Sequence, residues 1–261
     1  MTQKAPALFI AHGSPMNAIE DTPSSRGWRE VAGRFPKPRA ILCASAHWLT
    51  EGVRVTANAR PRTIHDFGGF PPELFAVQYP APGDPDLARD VARRLSAFGA
   101  ETDESWGLDH GTWSVLVHMY PQADVPVLQL SLDAGRPPQQ HYDIARALAP
   151  LREENVLILG SGNVVHNLRA FFRRGGDNSQ SAQTDNAFDT FIVDALEAHD
   201  HGAILGYQTH PGAAHAAPDW DHFFPLIYAI GAQGEGERAE IFNRHFFPGI
   251  SMTSIAFGIP S

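Results

Sequence analysis

Short apolar runs alternating with amphipathic helical stretches constrain this chain more than any other feature. Ala7–Ala11, Ala40–Ser45, Gly52–Ala57, Val125–Leu130, Val156–Gly160 and Ser251–Phe257 have the length and near-continuous apolar character of buried strands. Asp86–Phe98, Gln139–Leu151 and Ala187–His199 instead space their apolar residues along otherwise polar faces, as helices do. The first of these follows an Asp84-Pro85 start signal and stops before Gly99. This alternation predicts an α/β fold: a single three-layer domain over 1–261 with a central, mostly parallel sheet flanked by helices. The last run is expected as an antiparallel edge. No internal repeat or linker interrupts the pattern.

Three connections are longer than joining elements requires: Asn58–Pro82, Gly175–Thr184 and Thr209–Asp221. Long ordered loops in compact domains commonly carry function. The first holds Ile64-His65-Asp66-Phe67-Gly68-Gly69-Phe70 and several prolines, and is expected to be a rigid, apolar partial lid. Gly175–Thr184, rich in Gly, Ser, Asn and Gln, reads as a mobile surface tip.

Chemistry enters through the histidines. His12 and His47 each stand where an apolar run breaks, in Ile10-Ala11-His12-Gly13-Ser14-Pro15 and Ser45-Ala46-His47-Trp48. In open α/β sheets, ligands bind at the carboxyl ends of the strands. Either imidazole alone reads equally well as a hydrogen-bonded strand cap; the two together, with others in similar settings, point to a metal. His110, in Asp109-His110-Gly111-Thr112-Trp113, opens a helical stretch, where the helix dipole disfavours an added proton. Capping and proton handling are both open to it. His118 is expected to pack on the same helix. His166 follows the run from Val156 through the small residues Gly160-Ser161-Gly162, read as a sharp turn at the sheet edge. His210, His215 and His222 lie in a third cluster, with Asp219 or Asp221 expected to start a helix running through Ala229 and His222 in its first turn. His141, His199, His201 and His245 look like surface histidines in polar surroundings.

Other chemistries find little support. With a net charge of −9, the chain lacks the basic footprint of a nucleic-acid or anionic-membrane partner. No apolar run approaches the ~18 residues of a membrane span, and the N-terminus has no signal-peptide apolar region. The single cysteine, Cys43, sits inside an apolar run and reads as core; a lone thiol fits a reducing, cytoplasmic setting. Phosphate-loop and dinucleotide glycine patterns are missing, as is the nucleophile elbow of serine hydrolases.

Read together, Ala11-His12-Gly13-Ser14-Pro15, Ser45-Ala46-His47-Trp48, Leu108–Trp113, Ser161–Leu168 and Asp221–Leu226 resemble the motifs of class III extradiol ring-cleavage dioxygenases, nearest the 4,5-DOPA-dioxygenase-like branch. The motifs fall in family order across most of the chain. The resemblance implies an enzyme that uses O2 to cleave the ring of a catechol-type substrate, a small aromatic diol. It implies a metal on His12, His47 and His222, His166 as catalytic acid/base, His110 assisting beside substrate and oxygen, and His215 as a further pocket histidine. Fe(II) is the implied metal for ring cleavage. The third ligand departs from the usual two-histidine, one-carboxylate iron set, and three imidazoles also suit catalytic Zn(II), so zinc as isolated is part of the expectation. Asp221 is the fallback carboxylate. Trp48, Phe67, Phe70 and Trp113 are expected to line the substrate pocket because they neighbour these histidines. A zinc-dependent hydrolase using the same cleft, and a non-enzymatic metal- or peptide-binding protein, are the rival readings.

Overall fold

A computed structural model of the chain describes residues 4–173 and 179–260. Its main sheet is built from β1 (Ala7–Ala11), β2 (Ala40–Thr50), β3 (Arg54–Thr56), β4 (Glu101–Asp103), β5 (Val127–Asp133), β6 (Val156–Gly162) and β7 (Glu240–Phe242). A small hairpin of β8 (Phe246–Phe247) and β9 (Ile250–Ser251) follows, and β10 (Ser254–Phe257) returns to the main sheet. The helices of the first half are α1 (Pro23–Ala32), α2 (Pro72–Phe75), α3 (Pro85–Arg94), α4 (His110–Met119) and α5 (Pro138–Leu148). Those of the second half are α6 (Leu168–Phe171), α7 (Ser179–Glu197), α8 (His201–Leu205), α9 (Ala213–Ala216) and α10 (Phe224–Gly231).

Strand order is β4-β3-β5-β2-β6-β1-β10-β7. The four central strands, β5-β2-β6-β1, run parallel, whereas β10 pairs antiparallel with both β1 and β7. The expected antiparallel strand is therefore present but internal, and β7 forms the edge. β4 and β7 are short and largely solvent-facing, so neither carries the apolar run that marks a strand in sequence.

Side-chain alternation divides the core between the two faces. Phe9, Leu42 and Ile158 point to one face, against Leu87, Ile144, Phe188 and Ile227 of α3, α5, α7 and α10. Ile10, Cys43 and Leu159 point to the other, against Trp28, Leu74, Trp113 and Leu116 of α1, α2 and α4. This is the predicted three-layer arrangement. Every residue of α10 is buried, as expected for a helix that is apolar all round. Among the described residues, no helix is long and apolar enough to cross a membrane.

Local differences have identifiable causes. α1 starts with a capping box of Thr22 and Ser25 that two serines and Gly27 disguise as a breaker. The expected Gly175–Thr184 tip lies partly outside the described residues, and from Ser179 onward it is helical, within α7. The helix expected from Asp219 or Asp221 begins only at Phe224, so His222 stands in the turn ahead of it. β2 does not end before His47 but continues to Thr50, its ladder with β5 slipping between Ala44 and Leu49.

Candidate functional site

The carboxyl ends of β1, β2 and β6 converge on one cavity of about 670 Å³, with His12, His47, His110, His166 and His222 on its wall. Each arrives by a different local device. His12 follows β1 directly, and the left-handed backbone at Gly13 (φ 60°) turns the chain away behind it. His47 occupies the irregular stretch of β2 where pairing with β5 lapses; such bulges re-aim side chains beside functional sites. Gly160 and Gly162, read from sequence as turn residues, belong to β6 itself. Their role is close approach: a Cβ on Gly162 would collide with the carbonyl oxygen of His222. Asn163 N–H donates to that same carbonyl at 2.8 Å. His222 is thereby held against the end of β6, 60 residues away in sequence.

The ligand nitrogens of His12, His47 and His222 lie within 4.8 Å of one another. His12 Nδ1 donates to Ser161 Oγ at 3.0 Å, and Ser161 Oγ donates onward to the carbonyl of Gly111. His47 Nδ1 is 3.4 Å from Asp66 Oδ2, and His222 Nδ1 is 3.2 Å from Asp221 Oδ1. Ser161 thus fixes the His12 ring and leaves its Nε2 as the lone-pair donor, whereas Asp66 and Asp221 stand behind His47 and His222 at ion-pair distance without hydrogen-bond geometry. The Nε2 atoms of His12 and His47 stand 3.1 Å apart. A pair at that distance is held either by a proton shared between the two nitrogens or by a cation lying between them. Nitrogens each about 2.1 Å from one ion are about 3.0–3.4 Å apart for bond angles near 90–109°, so the observed spacing fits.

Protonation favours the same conclusion. Burial, then the neighbouring histidines His222, His110 and His166, holds His12 well below the ordinary imidazole pKa. Burial and the charges of His110, His222, His12 and His166 do the same to His47. Neutral imidazoles are the form that binds metal. The residues present therefore fit a metal ion: three imidazoles converge, with Asp221 3.2 Å from His222 Nδ1.

Two further histidines face this centre. His166 stacks on His222 with ring centroids 3.5 Å apart and planes 5° from parallel. Burial foremost, with the charge of His222, lowers its pKa to about 3. His110 opens α4, capped by Asp109. Its backbone N–H and its Nδ1 both donate to Asp66, each at 2.9 Å, which turns Nε2 away from that carboxylate. Burial of Asp66 is outweighed by these hydrogen bonds, and its pKa falls. Sequence reasoning did not single out Asp66; its place in Ile64–Phe70 was the available signal. Asp109 was also missed. It is buried, accepts from Ser45 Oγ at 2.7 Å and Gln129 Nε2 at 2.6 Å, and ties β2 and β5 to the start of α4.

The aromatic expectations divide. Phe67 and Phe70 are on the cavity wall. Trp48 is not among the described wall residues; strand alternation sends it to the opposite side from His47, where it stacks on Trp106 (5.8 Å, 1°). Trp113 is also behind the wall, fully buried, and its Nε1 donates to the carbonyl of Ile64 at 2.8 Å. It anchors the loop that presents Phe67. His215 lies away from the cavity, because the short helix α9 and the turn at Trp220 intervene before His222. Its Nε2 pairs with Ser181 Oγ at 2.9 Å, beside a separate cavity of about 180 Å³. His141 is not a surface residue: it is fully buried between Tyr228 Oη and the carbonyl of Asp133. His245, likewise expected at the surface, is on the large cavity's wall and bonds Ser24.

Comparison with known proteins agrees with this geometry. Residues 6–258 match the family described as the catalytic LigB subunit of aromatic ring-opening dioxygenase. The chain is 42% identical to the 4,5-DOPA dioxygenase extradiol of Escherichia coli K12, over 88% of this chain and 85% of that one. It is 39% identical to the protein of that name from Beta vulgaris, covering 93% and 92%. The crystal structure of an uncharacterized Escherichia coli K12 protein superposes with a TM-score of 0.84 at 36% identity, covering 98% of this chain and all of that one. The chain belongs to the family of catalytic LigB-type subunits of aromatic ring-opening dioxygenases and is an extradiol ring-cleaving enzyme.

Proposed function

We propose that this enzyme, acting as one catalytic domain over its whole length, opens the ring of a catechol beside its two hydroxyls with O2, using Fe(II) held by His12, His47 and His222. The observation that carries the reading is the pair of facing Nε2 atoms, 3.1 Å apart, inside a cavity that also presents His110 and His166. Bound there, Fe(II) would supply the redox chemistry that lets O2 react with the diol. Zn(II) on the same nitrogens would hold the diol without that redox capacity.

The protein's own groups handle the protons. A catechol must lose protons to bind through both oxygens. His166, neutral at physiological pH because its pKa lies near 3, has a free lone pair to accept one. Its stacking on His222 keeps that nitrogen beside the centre. His110, oriented through Asp66, presents its other nitrogen to the cavity and hydrogen-bonds a reacting oxygen there. Phe67, 5.5 Å from His110 in an edge-on contact, and Phe70 exclude water from that side. Dryness matters because hydrogen bonds and charges act more strongly where water is absent. The lone buried Cys43 fits a cytoplasmic location for such chemistry.

The reading is tested by incubating the Fe(II)-reconstituted protein with 4-methylcatechol with and without O2. A yellow ring-fission product should form only with O2 present, with matching oxygen uptake. Product formation at equal rate without O2 would instead indicate hydrolytic chemistry.

A further inference from the structure

The cavity is far larger than one ring requires. A space of ~150 Å³ holds a benzene, whereas this one measures about 670 Å³ and falls in the range of drug-sized ligands. The surplus leads outward along an apolar rim. Leu168, Phe171, Phe172 and Phe247 are all on the cavity wall, yet 47%, 40%, 70% and 50% of their surfaces remain exposed. Clustered exposed apolar side chains of this kind mark interaction sites.

The rim is also built firmly. It begins two residues beyond His166, at Leu168, so it is continuous with the proton-handling group. Asn167 N–H donates to Gly249 O at 2.7 Å, and Asn167 Nδ2 donates to His215 O at 2.8 Å. Gly249 N–H in turn donates to Asp185 Oδ2 at 3.0 Å. These bonds fix α6 against the β8–β9 hairpin. The Phe171 and Phe172 rings meet edge to face at 5.1 Å. Polar scaffolding thus displays apolar side chains toward the cavity at a fixed distance from the metal-binding histidines.

We infer that this rim is a substrate subsite for an apolar substituent on the catechol ring, so that the enzyme prefers catechols bearing alkyl or aryl groups over the bare diol. The inference rests on the catechol reading above. With the diol at His12, His47 and His222, a substituent on the far side of the ring extends along the same cavity and lies on Leu168, Phe171, Phe172 and Phe247. Each methylene buried there should tighten binding by about two- to fourfold.

The test is anaerobic calorimetric titration of the Zn(II)-loaded full chain with catechol and its 4-methyl, 4-butyl and 4-hexyl derivatives, together with turnover of the same series by the Fe(II)-loaded protein. Dissociation constants should fall steadily with chain length, and Phe172→Ala and Phe247→Ala should each flatten that dependence at least severalfold for the hexyl compound. A dependence already flat in the unmodified protein, or one unchanged in both variants, overturns the subsite. Concentration-dependent dimerisation that Phe172→Ala abolishes, with an unchanged alkyl dependence, would assign the rim to self-association and overturn it as well. A chain-length dependence in binding without any ring cleavage would leave the subsite standing and remove the catalytic reading; cleavage with a flat dependence would do the reverse.

Discussion

At the scale of single residues, hydrogen bonds and nearby carboxylates behind the rings set which imidazole nitrogens face the cavity. His12 spends Nδ1 on Ser161, His110 on Asp66, and His222 faces Asp221. Only after those commitments do the remaining nitrogens converge. Sequence reading located five of the six histidines on the cavity wall because each interrupts an apolar run or opens a helix, and it missed His245, which stands in polar surroundings. It failed on Trp48, Trp113 and His215, whose closeness to a ligand in sequence says nothing about side-chain direction. It also passed over Asp66, since a carboxylate in a loop gives no hint that two histidines will face it. His166 carries the sharpest consequence. His166→Ala should keep the metal, because His166 is not among the converging ligand nitrogens, while turnover falls by about 10²–10⁴-fold, the usual worth of general acid–base help. Metal analysis alongside steady-state rates measures both. Wild-type turnover in that variant would remove His166 from the proton path.

At the scale of elements, strand ends set the site and glycines set the distances between its parts. β1, β2, β5 and β6 were legible as apolar runs, and their parallel order follows from the helices that alternate with them. The slip in β2 between Ala44 and Leu49 was not legible, because a bulge depends on which strand lies alongside. Nor was the role of Gly162, where the same residue type serves a sharp turn or a close approach and only the partner backbone distinguishes them. Gly162→Ala should push His222 away from the end of β6, costing about 1–3 kcal/mol in stability through overpacking and weakening metal binding by about tenfold or more. Gly135→Ala, whose added Cβ would meet only the Asp133 side chain at an ordinary 3.5 Å, serves as the control. Chemical denaturation and metal titration of both variants check this, and equal metal affinity in the two would contradict it.

At the scale of the whole molecule, burial of uncharged histidine makes stability depend on pH away from the catalytic centre too. His141, on α5, faces Tyr228 of α10 with its pKa lowered to about 4, mainly by burial. The unfolded chain binds that proton near pH 6.5 and the folded chain only near 4, so His141's contribution is fully present above about pH 6.5. It is lost as pH falls toward 4, reaching about 3 kcal/mol in all. Urea unfolding at pH 7.5 and pH 4.5 should therefore show a smaller acid loss in His141→Gln than in the unmodified chain, and identical losses would contradict the assignment. The same logic of neutral, buried imidazole, applied at His12 and His47 beside His222, predicts how the enzyme is switched on. Anaerobic titration of Fe(II) into the metal-free protein, with catechol cleavage followed on admission of O2, tests this most directly. Activity should rise linearly and saturate at a single equivalent of iron per chain, and His222→Ala should abolish tight binding and activity together. Full activity in the metal-free protein, or in His222→Ala without bound iron, would contradict the three-histidine centre.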